Sequence, residues 1–121
     1  MTAREARLSR VYGAIADHTR RAILGMLAGG EANVGTVAGR FPMSLNGVSK
    51  HLKVLERAGL VARTVRGHEH RLRLRAAPLR EAAGWLQHYR AFWETRLAAL
   101  DELLTGPRRP AAGRRRRRLR R

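Results

Sequence analysis

A mainly α-helical chain carrying one small β-hairpin (an α+β class), in the order α-α-α-α-β-β-α, is what three observations in the sequence predict. Apolar residues recur at helical spacing in four segments before residue 60 and again after residue 78. Between residues 61 and 75 the period changes to alternation around Gly67. The 121 residues, 44% of them hydrophobic, suffice for one small domain and not for two.

The elements follow in chain order. Leu8, Val11, Tyr12 and Ile15 stand at i, i+3, i+4 and i+7, which predicts a first helix over about residues 3–16. Asp17 is suited to cap a second helix, with Ile23, Leu24 and Leu27 inward and Gly29-Gly30 as its stop. Val34, Val37, Ala38 and Phe41 form a third, short stripe. Pro42 disfavours helix at Phe41, so a turn of about three residues is expected before Ser44. The fourth helix starts after Ser44, a good N-cap, and closes at Ala58-Gly59. Val61, Arg63 and Val65 then share one strand face, and Leu72 and Leu74 alternate with Arg71, Arg73 and Arg75 on the next strand, with Gly67 as the hairpin turn. From Pro78, a favoured first-turn residue, a last helix runs to about Leu104. Its seam is Leu86, Trp93 and Leu100, seven apart, broadened by Leu79, Ala82, Ala83, Tyr89, Leu97 and Leu104.

The fourth helix is the most informative. Val48, Leu52 and Leu55 make an apolar stripe, while Asn46, Ser49, Lys50, Lys53 and Arg57 make a polar, cationic stripe on another face. Asn and Ser are able to bond base edges in a major groove, and Lys reaches guanine or phosphate. Two short helices joined by a turn, the second carrying that face, match a helix-turn-helix unit, and the basic hairpin after it matches the wing of a winged helix.

Charge agrees. The formal net charge is +17, and residues 1–107 alone hold 17 basic against 9 acidic side chains. A polyanionic partner is therefore expected for the folded part as well as for the tail. Nine Arg lie after Pro107 with no acid among them, so residues 107–121 are expected to be a disordered Arg-rich tail and residues 1–106 one DNA-binding and dimerisation domain. Twenty-four of the 26 basic residues are Arg, a pattern we read as the coding bias of a GC-rich genome. There is no Cys, which removes disulfides, thiolate metal sites and Cys nucleophiles together. No apolar run approaches a membrane span, and the first residues lack the apolar core of a signal peptide, so the cytoplasm, on the nucleoid when DNA-bound, is the expected location. No phosphate-cradling Gly loop, paired nucleophile and base, or carboxylate cluster is present, so no enzyme is expected.

The segments YGAIADHTRRAILGML and MSLNGVSKHLKVLERAGLV, a Gly-centred basic hairpin and a terminal amphipathic helix occur in that order. Over residues 8–104 the chain resembles the ArsR-type winged helix-turn-helix regulators. The run Ser49 to Val61 (S-K-H-L-x-V-L-x-x-A-G-L-V) and the run Asp17 to Leu24 (D-x-T-R-R-x-I-L) carry the resemblance. The stretch from Ala77 through PLREAAGWL to Tyr89 and Phe92-Trp93 is similar to a metal-independent branch, often encoded beside small START-type proteins. The resemblance implies a homodimer, paired through its first and last helices, that represses from a partly palindromic operator and is released by an effector. It departs from the family's metal sites: the third helix reads NVGTVAGRF without Cys, and the last helix offers only His88 and scattered Glu.

The expected DNA contacts are Asn46, Ser49 and Lys50 at base edges, Lys53 and Arg57 on phosphate, and Arg63, Arg66, Arg71 and Arg73 from the wing. Ser44 belongs to the same set or serves as a cap alone, and His51, between the two faces, is expected to make a structural hydrogen bond. Leu8, Tyr12, Leu86, Tyr89, Trp93, Leu97 and Leu100 are the expected dimer contacts, because a domain of about 100 residues cannot cover both helix stripes by itself. The partners are double-stranded DNA and a second copy; no cofactor and no metal are expected, His68 and His70 being two apart on one strand without a third ligand. The alternatives are a sequence-tolerant architectural DNA binder, favoured by the Arg tail, and a metal-sensing repressor.

Overall fold

The computed structural model describes residues 2–105. Helix α1 (Ala3–Ile15) opens on a capping box: Thr2 accepts from the Glu5 N–H while the Glu5 carboxylate accepts from the Thr2 N–H. Asp17 caps α2 (His18–Ala28) by accepting from the Arg20 N–H. A two-residue strand, β1 (Ala32–Asn33), precedes α3 (Val34–Ala38). Helix α4 (Leu45–Arg57) leads through Gly59, at φ +77°, into β2 (Val61–Arg66) and β3 (Glu69–Leu74), and α5 (Ala76–Thr105) closes the described chain. Gly67, at φ +58°, makes the hairpin turn that its position predicts.

Three details differ from the sequence reading. Strand β1 is unforeseen: it pairs antiparallel with β3 (Ala32 opposite Leu72), giving a three-stranded sheet in the order β1-β3-β2. Two residues carry no readable period, so only the neighbouring strand makes them a strand. Helix α3 ends at Ala38, one turn earlier than Phe41, so the connection to α4 occupies residues 39–44 rather than three residues. Helix α5 starts at Ala76, which puts Pro78 third in the first turn, where its missing N–H costs no helical bond.

The contacts divide into two units, residues 1–84 and the chain from Trp85 onward. In the first, Leu8, Val11 and Ala14 of α1, Ile23, Leu24 and Leu27 of α2, Val37 of α3, the α4 stripe, and Leu60, Val61, Leu72 and Ala82 form one core. Each fully buried Leu, Ile or Val contributes about 1.5–3 kcal/mol relative to exposure. Leu8, expected at a dimer interface, is 6% exposed inside its own unit, so its side chain is core and not surface. Tyr12 is partly buried, its hydroxyl donating to the Ala82 carbonyl at 2.7 Å; burial, the first cause, pushes that hydroxyl's pKa up.

In the second unit, Leu86, Tyr89, Trp93, Leu97 and Leu100 are each between 42% and 57% exposed. Tyr89 stacks on Trp85 at 4.7 Å between ring centroids and meets Trp93 edge-on at 5.9 Å. The Arg96 guanidinium lies 4.2 Å from the centre of the Phe92 ring. No helix among the described residues is long and apolar enough to cross a membrane.

Candidate nucleic-acid interface

Helix α4 is split cleanly into two faces. Val48, Leu52 and Leu55 are fully buried. At 3.6 residues per turn, Asn46, Ser49, Lys50, Lys53 and Arg57 fall within a sector of about 100° on the opposite side. Asn46, Lys50, Lys53 and Arg57 are exposed and Ser49 is half-buried. The buried stripe therefore fixes the roll of the helix and leaves the polar stripe turned to solvent. Ser44 acts as the cap, its hydroxyl accepting from the Gly47 N–H at 3.0 Å.

The roll is fixed again by a network that sequence reading found only in part. His51 Nδ1 lies 3.2 Å from the Arg20 guanidinium and 3.8 Å from the Asp17 carboxylate, the structural bond expected of it. Arg20 also donates to the Gly13 and Ala14 carbonyls, and Arg21 to that of Ile15. The two arginines thus satisfy the free carbonyls at the end of α1 and tie α1, α2 and α4 together. Their position four and five residues past the end of the predicted first helix was the available signal. The Arg20 N–H holds the Asp17 carboxyl below the usual carboxylate range, with His51 and the Arg20 charge acting in the same direction.

The wing arginines divide by face. In the β2–β3 register Arg63 is opposite Leu72, on the side turned to the core, while Thr64 is opposite Arg71, Ala62 opposite Arg73 and Arg66 opposite Glu69, on the other. Arg63 is accordingly half-buried and held by both Glu56 carboxylate oxygens, at 2.9 and 3.0 Å, and lies 3.1 Å from His70 Nδ1. There it fastens the wing to α4, with its guanidinium engaged by Glu56 instead of turned freely to solvent. The partner, Glu56, was overlooked because nothing in a single strand's alternation shows what packs across from it. Arg71 is exposed but shared between Glu31 and Glu69. Arg66 and Arg73 are exposed, and no carboxylate among the described residues pairs with them. The wing tip faces the start of α4 across an open groove of about 400 Å³ that Ser49, Leu45, His68 and His70 help to line. Among the described residues no three His, Cys, Asp or Glu side chains come together in a metal-binding group.

A buried-backed polar helix beside a cationic hairpin defines a winged helix-turn-helix DNA-binding protein. A family described as "Helix-turn-helix domain" matches residues 15–64. The chain is 30% identical over 82 residues to the transcriptional repressor SdpR of Bacillus subtilis, spanning 68% of this chain and 91% of SdpR. Among solved structures it is similar to an ArsR-like transcriptional regulator from Rhodococcus sp. RHA1, with 34% identity, a TM-score of 0.70, and coverage of 84% of this chain and 96% of that one. A homodimeric winged helix-turn-helix DNA-binding domain from Mycobacterium bovis matches with 27% identity and a TM-score of 0.56, over 90% of this chain and 96% of that one. The chain belongs to the ArsR-type winged helix-turn-helix transcriptional regulators.

Proposed function

We propose that this regulator works as a homodimeric repressor that reads a partly palindromic operator. The observation that carries the reading is the α4 surface: Asn46, Lys50 and Lys53 exposed over a stripe that is wholly buried behind them. Asn46, Ser49 and Lys50 belong to the first half of the helix, the end that enters a major groove, and are assigned to base edges; Lys53 is assigned to phosphate. Arg66, Arg71 and Arg73, on the outer face of the wing, are assigned to phosphate or the minor groove, with Arg71 weakened by its two glutamates. The second copy is assigned to the exposed stripe of Leu86, Tyr89, Trp93, Leu97 and Leu100, a seam too apolar to be left to water. SdpR is a repressor and the Mycobacterium bovis domain is a homodimer, which supports both halves of the proposal. Release by something other than a metal is favoured by the absence of Cys from the whole chain. Action in the cytoplasm follows from the DNA partner.

Selection of bound sequences from a random DNA pool at physiological salt tests the reading. Enrichment of a palindrome with half-sites about 10 base pairs apart, or a multiple, is expected. A pool that emerges with no preferred sequence would leave the sequence-tolerant architectural binder as the better description.

A further inference from the structure

In the first unit, α1, the end of α4 and the start of α5 line an open cleft of about 540 Å³. Arg7, Arg10, Arg57 and Arg75 line it together with one carboxylate, Glu81. That carboxylate is spent: its Oε2 lies 3.2 Å from Arg7 and 3.5 Å from Arg4. Arg10, Arg57 and Arg75 have no ion-pair partner among the described residues, although like charges repel and long side chains are free to turn away. The cleft lies within one contact unit, so every group belongs to the same packed body.

Backbone adds to the charge. Gly59 forms part of the wall and is called for by its φ of +77° rather than by crowding, since a Cβ there would meet Arg75 Nη1 and Pro78 Cγ at an ordinary 3.7 Å. The residue before α5 is Arg75, whose side chain has no acceptor with which to cap the free N–H groups of the first turn. Val11, Ala77 and Pro78 give part of the lining an apolar character. A volume in this range is that of a small-molecule site, larger than one tetrahedral anion fills. Arginines that line one cleft from α1, the end of α4 and the residue before α5 suit the three terminal oxygens of a phosphate monoester.

We propose that this cleft binds a small phosphorylated ligand, its phosphate held by Arg10, Arg57 and Arg75 and its organic part against Val11 and Pro78. Arg57 is the last residue of α4, about 16 Å along the axis from Asn46, so it is removed from the base-reading end and better placed to sense a ligand than a base. The binding step is independent of which DNA the protein reads.

The test is an NMR titration of the ¹⁵N-labelled full chain with phenyl phosphate and with inorganic phosphate, at constant ionic strength and without DNA. Saturable shifts centred on Ala58, Gly59, Arg75 and Ala77 are expected, with phenyl phosphate the tighter ligand. R10A/R75A should weaken binding by roughly tenfold or more, whereas R66A/R73A, which removes the same charge from the wing, should change it less than about twofold. The spectrum itself reports whether the variant folds; Arg10→Gln alone, on an exposed position of α1, is the second variant and should weaken binding in the same direction. Non-saturable shifts, or equal losses in the two double variants, overturn the proposal. So does a finding that R10A/R75A weakens DNA binding as much as R66A/R73A while phenyl phosphate does not bind; the cleft would then belong to the DNA interface. Failure of the random-pool selection with intact phosphate binding would overturn only the DNA reading.

Discussion

Asn46 and Lys50 are exposed, lie one turn apart, and have no hydrogen-bond or ion-pair partner among the described residues. Replacing either with Ala is expected to cost about 1–3 kcal/mol on the selected operator and much less on random DNA, measured by anisotropy titrations on both. Equal losses would make them phosphate contacts. Asp17 carries a different prediction, because its carboxyl pKa is lowered below the usual 3.8 by the Arg20 N–H and then by His51 and Arg20. A depressed pKa means that the ionised form stabilises the fold above the ordinary value, and that this contribution fades as pH falls through the lowered one. Asp17→Asn keeps a capping oxygen and removes the charge. The variant should therefore be less stable than the parent near neutrality, and the difference should shrink as pH falls below about 4, followed by urea denaturation at several pH values.

At the scale of elements, α4 and the wing share the apolar core and are tied further by the ion pair of Glu56 and Arg63, with both side chains about a quarter exposed. Such a pair is screened less than a surface bridge and lies between exposed and buried cases, so losing either partner should cost about 1–2 kcal/mol. Glu56→Gln and Arg63→Ala are expected to lose similar stability, and the double variant little more than one of them, in a double-mutant cycle. Additive losses would show that Arg63 acts elsewhere, on DNA included. The distal stretch of α5 tests the dimer. Trp93→Glu places a charge in the middle of the exposed stripe from Leu86 to Leu100 and is expected to give a monomer by sedimentation that binds the operator poorly. A wild-type protein that sediments as a monomer at micromolar concentration while binding tightly would remove the assigned interface.

At the scale of the whole molecule, nine of the 26 basic residues lie in the tail after Pro107. Residues 106–121 lie outside the described residues, so the disorder expected for the tail beyond Pro107 rests on its composition: nine Arg, no acid, and a lone Leu119. Each phosphate such a tail neutralises should add about −0.9 to the slope of log affinity against log salt. Deleting residues 107–121 is expected to make that slope shallower by several units and to weaken operator and random DNA by similar factors. The preferred sequence should survive, since base contacts are assigned to α4. Salt titrations of full-length and truncated protein on both DNAs decide this, and an unchanged slope would mean that the tail does not touch DNA.

The sequence by itself determined the order of the large elements, the hairpin turn at Gly67, the caps at Asp17 and Ser44, and the two faces of α4. Each is written in local period or in residues with one strong backbone preference, which need no distant partner to be read. Tertiary structure alone decided which members of those patterns are surface. Leu8 and Leu86 both sit on apolar helical stripes, yet one is core and the other exposed, because only packing fixes which turn of a helix is covered. Arg63 and Arg73 alternate on equivalent strands, yet register turns the first toward Glu56 and the second to solvent. Strand β1, the paired role of Arg20 and Arg21, and the meeting of Arg10, Arg57 and Arg75 in one cleft all join residues far apart in the chain. Such contacts leave no local period, because their free energy resides in the partner and not in the segment.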